Sequence, residues 1–168
     1  MRKNILVTGA TGKQGSALIR ALLDASQSSP SFEYHISAPI RNVASPSAQQ
    51  LVQAYGSSNI TLIEGNFDNK DSVISIFETA ERNSNGIRGV FAVLGFPELG
   101  ASADGEERQG KMWADVALDY KVKVFVYSSA MRAGPNHEEN LEFKPSKKAR
   151  RNIEKHCRAL GERGLRWM

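Results

Sequence analysis

The sequence predicts an α/β fold, a doubly wound parallel sheet with five strands plus the start of a sixth, and two patterns lead to this prediction. Short apolar runs alternate five times with segments whose apolar residues recur at helical spacing. This alternation is typical of a parallel sheet built through right-handed crossovers. The fourth apolar run, residues 89–94, also lacks polar alternation, as expected for a strand that helices cover on both faces.

The first half of the chain contains three predicted strands, at residues 5–8, 34–40 and 59–63. A helix follows each of them. The second helix spans residues 48–55 and is ended by Gly56, and the third is expected to have Asp71 as its N-terminal cap. In the first helix, the apolar residues that recur at helical spacing, here called its stripe, are Ala17, Leu18, Ala21, Leu22 and Ala25. In the third helix, the stripe consists of Val73, Ile76, Phe77 and Ala80.

The second half of the chain continues the alternation with strands at 89–94 and 122–127 and with loops at 95–105 and 130–143. A last helix over 148–160 is ended by Gly161 and Gly164, and residues 165–168 begin a sixth strand. The buried side of the fourth helix is predicted to be Met112, Trp113, Val116, Ala117 and Tyr120, and that of the last helix Ala149, Ile153, Cys157 and Leu160.

The composition is that of one globular domain: 168 residues, 40% of them apolar, with a net charge of +4. Residues 1–143 carry 13 basic and 16 acidic side chains, whereas residues 144–168 carry nine basic and two acidic ones. This basic segment coincides with the last helix and lies opposite its apolar stripe, which favours a solvated face over a nucleic-acid surface. Nucleic acid is therefore not an expected partner.

A single cysteine, Cys157, allows no internal disulfide, and His35, His137 and His156 share no metal-ligand spacing, so no metal site is predicted. The longest apolar runs fall well below the roughly 20 residues that span a bilayer, and the pattern of residues 1–9 predicts no signal peptide. We expect no membrane contact and a cytoplasmic location, with the nucleus as an additional alternative.

The segment between the first strand and the first helix is the most informative one, and its residues are Gly9, Ala10, Thr11, Gly12, Lys13, Gln14 and Gly15. Glycine permits a positive φ at the turn, a close backbone approach to a phosphate, and contact between helix and strand. Free N–H groups at the start of the helix favour an anion. The segment predicts a Rossmann-like domain over residues 1–168 that binds a dinucleotide; the alternative is a tight turn without a ligand.

The end of the second strand predicts which dinucleotide is bound. NAD-binding domains place a carboxylate there to accept the ribose 2′-hydroxyl, but this chain has Arg41 followed by Asn42. A guanidinium can hold a 2′-phosphate through paired hydrogen bonds. We therefore predict NADP(H) over NAD(H), with Arg41 as the contact to the 2′-phosphate. The alternative is a solvated surface arginine.

Two more loops end at the same edge of the predicted sheet. Asn66 and Phe67 follow the third strand, where an amide and a flat apolar surface would meet adenine. Leu94 and Gly95 end the fourth strand, at the topological switch point where doubly wound sheets bind ligands. These four residues complete the predicted cofactor site, although each of them is also a common packing residue.

The chain resembles the NmrA-like family, an atypical branch of the short-chain dehydrogenases. The resemblance runs through essentially the whole chain and includes the Lys13-Gln14 pair of the glycine turn. It is carried by residues 5–15, 40–42, 64–68, 109–111 with 114–115, 124–129, and 153–154 with 164–167. Family members usually continue into a substrate- or partner-binding region, so we expect either a product truncated after the cofactor-binding part or a shortened member.

The resemblance also implies candidate catalytic residues. The typical short-chain dehydrogenase uses a Tyr-x-x-x-Lys pair, and none of the four tyrosines is followed by lysine at that spacing. Related reductases keep the lysine in a Ser-Lys-x-x-Ile-Glu pattern, which makes Lys147 a candidate for the contact to the nicotinamide ribose; another register would place Arg150 there. Ser128 and Ser129, at the end of the fifth strand, are candidates to face a nicotinamide or a substrate.

Three functions stay open at this point. The resemblance implies an NADP(H)-binding protein, and the leading interpretation is an NADPH-dependent oxidoreductase of the kind found in secondary metabolism, acting on a small molecule. The second is a redox sensor that binds NADP(H) and a regulatory protein partner without catalysis. The third is an inactive truncated product.

Overall fold

The computed structural model describes residues 2–29, 31, 33–82, 86–94, 103–129 and 145–168. Within these residues five strands alternate with five helices. The strands are β1 (Lys3–Val7), β2 (Tyr34–Ile40), β3 (Ile60–Glu64), β4 (Ile87–Ala92) and β5 (Val124–Tyr127). The helices are α1 (Lys13–Ser28), α2 (Pro46–Tyr55), α3 (Lys70–Arg82), α4 (Asp104–Asp119) and α5 (Pro145–Glu162).

The five strands form one sheet in the order β3-β2-β1-β4-β5, and every pair is parallel. A sixth strand begins beside β5, where Trp167 pairs in parallel with Phe125 and the N–H of Tyr127 donates to the carbonyl of Met168 at 2.9 Å. The predicted fold class is therefore confirmed, including the start of the sixth strand. The order reverses between β1 and β4, which is the switch point of a doubly wound sheet.

Two apolar clusters form the core, one on each face of the sheet. The first contains residues of α3, α4 and α5, and the second contains residues of α1 and α2. Trp113, Phe77 and Phe125 are the largest fully buried side chains, all in the first cluster. Helices on both faces explain why the strands lack polar alternation.

The amphipathic interpretation of the last helix is confirmed. All four residues of its predicted stripe are buried: Ala149, Ile153, Cys157 and Leu160. Burial raises the pKa of the Cys157 thiol to about 12, so this thiol stays protonated and unreactive at neutral pH. Among the described residues, no helix combines the length and apolarity needed to cross a bilayer.

The predicted stripe of the first helix is confirmed only in part: Leu18 and Leu22 pack, partly buried, against the core. α1 buries Gly15, Ile19 and Leu23, whereas Ala17 and Ala21 are exposed. The reason is the close contact at Gly15, where an added Cβ would lie 2.3 Å from the carbonyl oxygen of Gly9. This contact sets the rotation of the helix against the sheet and thereby selects the residues at i+4 and i+8 as the buried face.

The predicted cap of the third helix is wrong. α3 begins at Lys70, and the Asn69 side chain accepts the N–H of Ser72 at 2.9 Å, so Asn69 takes the capping position and Asp71 lies in the first turn. The bounds of β1, β3, β4 and β5 also differ from the predicted ones by one or two residues; β4, for example, ends at Ala92, and β5 begins at Val124. The predicted loop 130–143 and most of the loop 95–105 lie outside the described residues.

Candidate functional site

The glycine turn after β1 has the backbone geometry that its sequence predicts. Gly9 has φ +61°, a value that side-chain-bearing residues rarely adopt. The N–H of Gly12 donates to the carbonyl of Gly9 at 2.9 Å and closes the turn. Gly12 itself precedes α1, and no side chain of the described residues caps the first turn there. The N–H groups at this end of α1 are therefore available to an anion.

A buried threonine attaches this turn to the neighbouring strand. The Thr8 hydroxyl donates to the carbonyl of Val93 and accepts the N–H of Val93, both at 2.8 Å. Thr8 is fully buried, so these two bonds satisfy a polar side chain that has no access to water. Sequence reasoning missed Thr8 as a site residue, although a polar residue ending an apolar strand immediately before a glycine turn was an available signal.

Two adjoining clefts open at the carboxyl edge of the sheet, around the switch point. The first has a volume of about 310 Å³ and the second of about 500 Å³. The first is lined by Gly9, Ala10, Thr11, Pro39, Ile40, Arg41, Asn42, Ser45, Phe67 and Val93. The second is lined by Arg41, Glu64, Gly65 and Asn66. Six of the predicted cofactor residues thus line one of the clefts, and Arg41 lines both.

The other predicted cofactor residues of the glycine turn lie at the start of α1. Gln14 accepts a hydrogen bond from the Ser128 hydroxyl at 2.6 Å, which links α1 to the end of β5. Lys13 is exposed at the start of α1, and Leu94 is buried in the core on the side of α3, α4 and α5, so Val93 lines the cleft in its place. Gly95 lies outside the described residues.

The loop that carries Arg41 is held by polar contacts to its own ends. The Asn42 side chain accepts the N–H of Ala44 at 2.9 Å, and the Ser45 hydroxyl caps α2. From β3, a Glu64 carboxylate oxygen accepts the N–H of Val43 at 3.4 Å. Glu64 therefore fixes the backbone of the loop and also places a negative charge in the cleft that Arg41 borders.

The loop after β3 is held from two helices. The Ser72 hydroxyl of α3 accepts the N–H of Asn66 at 2.8 Å. From α4, the Gln109 amide donates to the Asp68 carboxylate at 2.7 Å. Phe67, between these anchors, packs edge-on against Trp113, with ring centroids 5.5 Å apart. The backbone of this loop and the Phe67 ring are thus fixed in place.

The candidate catalytic residues lie around the start of α5. Lys147 is exposed, one turn or less from the beginning of the helix. Arg150 donates from Nε to the Glu106 carboxylate at 2.8 Å, and the Glu106 side chain is only 1% exposed. Arg150 is therefore engaged in a buried ion pair with α4. Lys147 and Arg150 are the two alternatives for the family lysine, and of these two side chains only that of Lys147 is exposed.

The end of β5 contributes a buried tyrosine and two serines. In the described part of the chain, the Tyr127 hydroxyl has no hydrogen-bond partner. Burial and the nearby Glu106 carboxylate raise its pKa, so the phenol stays neutral. Ser129 donates to Glu154 of α5, whereas Ser128 donates to Gln14. The sequence contained a signal for Glu106: it lies seven residues before Trp113, on the same buried face of α4.

Within the described ranges, no group of three or more His, Cys, Asp or Glu side chains is arranged to hold a metal ion. The site instead combines a glycine turn, an uncapped helix terminus, an exposed guanidinium and a fixed aromatic ring. Backbone N–H groups and a guanidinium are donors to phosphate oxygens. The chemistry of this donor set suits a ligand with several phosphates and a flat heterocycle.

Comparison with solved structures shows the same fold in several enzymes. Triphenylmethane reductase from Citrobacter sp., in complex with NADP(H), is 22% identical with a TM-score of 0.66, and the match covers 94% of this chain and 46% of that one. A short-chain dehydrogenase from Streptomyces avermitilis is 14% identical with a TM-score of 0.71, and the match covers 99% of this chain and 63% of that one. The UDP-N-acetylglucosamine 4-epimerase of Bacillus cereus is 12% identical with a TM-score of 0.67, covering 98% and 51%.

At these identities the likeness establishes the fold, and the chain spans from 46% to 63% of the length of those structures. A comparison with curated protein sequences gave no significant match. The sequence model of the NmrA-like family, in contrast, matches residues 1–164, which is nearly the whole chain. On this match, the chain belongs to the NmrA-like family.

Proposed function

We propose that this chain binds NADP(H) along the carboxyl edge of its sheet and serves as the cofactor-binding part of an NADPH-dependent oxidoreductase. The observation that carries the proposal is the position of Arg41, which directly follows β2 and borders both clefts. A carboxylate at this strand end would select NAD, whereas an arginine suits the 2′-phosphate of NADP. Family membership and the shared fold with a reductase complexed with NADP(H) support it.

The residues around the clefts fit such a cofactor. The uncapped N-terminus of α1 would hold the pyrophosphate, and Arg41 the 2′-phosphate. Asn66, in the second cleft, offers a side-chain amide to the adenine edge. Lys147 stays the candidate for the nicotinamide ribose. The bound cofactor would supply a hydride, while the chain supplies binding and orientation.

The proposal is tested by the affinities of Arg41→Ala for NADP⁺ and NAD⁺. Charge-assisted hydrogen bonds contribute about 1.5–3 kcal/mol, so the variant should bind NADP⁺ about tenfold to a hundredfold more weakly and NAD⁺ nearly as before. Arg88→Ala is the matched control, because it removes the same charge from an exposed residue near the amino end of β4, the opposite edge of the sheet. An unchanged preference in Arg41→Ala would refute the assignment.

A second candidate function is a regulator that binds NADP(H) and a protein partner without catalysis. Two observations favour it: none of the tyrosines is followed four residues later by lysine, and Arg150, the alternative cation, is paired with Glu106. NADPH oxidation with a panel of carbonyl and enone compounds separates the two functions. Turnover supports the oxidoreductase, whereas cofactor binding without turnover by this chain favours the regulator.

A further inference from the structure

Phe67 lies between an exposed cation and a buried indole. The guanidinium carbon of Arg41 lies over the Phe67 ring, 5.6 Å from its centroid. On another side, Trp113 meets the same ring at an interplanar angle of 87°. Trp113 is fully buried and Phe67 partly buried, whereas Arg41 is exposed. The ring thus connects the rigid core to the charged group that borders both clefts.

The contact restrains a side chain that would otherwise be mobile. A free arginine side chain loses roughly 1.5–2 kcal/mol of rotamer freedom when it becomes ordered, and a binding site must supply that free energy. In the described part of the chain, the Arg41 guanidinium makes no ion pair within 4.0 Å, so the ring is the group that orients it. Because the electrons of an aromatic face attract a cation, this orientation is favoured before any ligand arrives.

The scaffold behind the ring is fixed independently of Arg41. The loop of Phe67 is held by Ser72 through the backbone of Asn66 and by Gln109 through Asp68. The edge-to-face contact with Trp113 sets the tilt of the ring. The sequence predicted Phe67 as a surface for adenine, and the structure adds that the Arg41 guanidinium lies over its ring.

We propose that Phe67 is a positioning residue that strengthens the preference for NADP(H) over NAD(H), because its ring holds the Arg41 guanidinium in place for the 2′-phosphate. The inference rests on the proposed function and adds to it. Phe67 acts through Arg41 and makes no contact with the phosphate itself. Its effect is therefore expected on ligands that carry a 2′-phosphate and not on those that lack it.

The test uses two probes, adenosine 2′,5′-bisphosphate and ADP, titrated into the full chain. Phe67→Leu keeps an apolar side chain but removes the aromatic face. Since a cation–π contact at an exposed site contributes about 0.5–1 kcal/mol, the bisphosphate should bind about two- to fivefold more weakly. The affinity for ADP should stay within measurement error. Phe67→Tyr keeps the aromatic face and should restore the wild-type ratio of the two affinities.

A double-mutant cycle gives the second criterion. In an Arg41→Ala background, Phe67→Leu should leave the affinity for the bisphosphate unchanged, because the guanidinium that the ring positions is gone. Equal losses for both probes in Phe67→Leu would overturn the inference and identify the ring as the adenine surface instead. Unchanged affinities for both probes would overturn it as well.

Folding is monitored separately by thermal unfolding of each variant. If Phe67→Leu fails to fold, Phe67→Met replaces it, because a flexible side chain of similar volume fills the same space without an aromatic face. A wild-type chain that binds neither the probes nor NADP⁺ refutes the proposed function and this inference with it. A wild-type chain that prefers the bisphosphate, with the same preference in Phe67→Leu, refutes the inference alone.

Discussion

Replacing Gly15 by alanine tests the packing on which the whole site depends. An added Cβ would lie 2.3 Å from the carbonyl oxygen of Gly9, 2.7 Å from its carbonyl carbon and 2.8 Å from the Cα of Ala10. All three are backbone atoms, so no side chain can rotate away to make room. Either α1 moves off the sheet or the glycine turn changes shape, and both displace the N-terminus of α1 from the cleft.

Two opposing contributions set the size of the effect. Overpacking a close contact typically costs about 1–3 kcal/mol, and the fixed backbone here places the cost at the upper end of that range. Alanine is favoured over glycine within a helix by about 1 kcal/mol, which offsets part of this cost. A net loss of about 2 kcal/mol corresponds to a melting temperature lower by about 4–8 °C in a domain of this size.

Calorimetric or circular-dichroism melting of Gly15→Ala measures this loss, and NADP⁺ affinity measures the effect on the site. Gly105→Ala is the matched control, since Gly105 lies in the first turn of α4 and an added Cβ there meets no atom of the described residues within 4 Å. The control should melt at the wild-type temperature or up to about 4 °C above it. If Gly15→Ala melted no lower than the wild type and kept its affinity, the close contact between Gly15 and Gly9 would not be what holds α1 in place.

Two further substitutions test other parts of the site. Thr8→Val removes both hydrogen bonds to Val93 with little change in volume and leaves the N–H and the carbonyl of Val93, both part-buried, without these bonds. The variant should lose about 1–3 kcal/mol of unfolding free energy in urea, and Thr8→Ser should recover most of that loss. Equal stability of the valine and serine variants would contradict this role. Glu64→Gln keeps an acceptor for the N–H of Val43 but removes a negative charge from the second cleft. The variant should bind NADP⁺ about two- to fivefold more tightly relative to NAD⁺, and this effect should be smaller at high salt. An unchanged ratio of the two affinities at low salt would contradict the prediction.

The sheet could be predicted from the sequence because its signals are local. Apolar runs without polar alternation indicate strands that helices cover on both faces. The buried stripe of α5 follows from the helical spacing of its apolar residues alone. The glycine turn was also predictable, since Gly9 needs its positive φ whatever lies around it. The buried face of α1 could not be predicted in the same way, because the apolar pattern is compatible with two faces. The contact between Gly15 and Gly9 decides between them.

The contacts that organise the candidate site join residues far apart in the chain. Thr8 and Val93 are 85 positions apart, and Gln14 and Ser128 are 114 apart. No local pattern encodes either pair. Arg41 and Phe67 were each predicted to belong to the site, but their contact arises because β2 and β3 are neighbours in register and bring the two loops to one edge. The sequence therefore identified Arg41 and Phe67 as site residues, but only the tertiary structure shows that they contact each other.

The proposed function places NADP(H) in the clefts at the switch point, with Arg41 selecting it over NAD(H). Isothermal titration calorimetry of the wild-type chain with NADP⁺ and, in parallel, with NAD⁺ tests this proposal. We expect one binding site per chain and an affinity for NADP⁺ at least tenfold above that for NAD⁺, the difference that one well-placed charge-assisted contact provides at about 1.5 kcal/mol. Binding of neither cofactor, or a preference for NAD⁺, would contradict it.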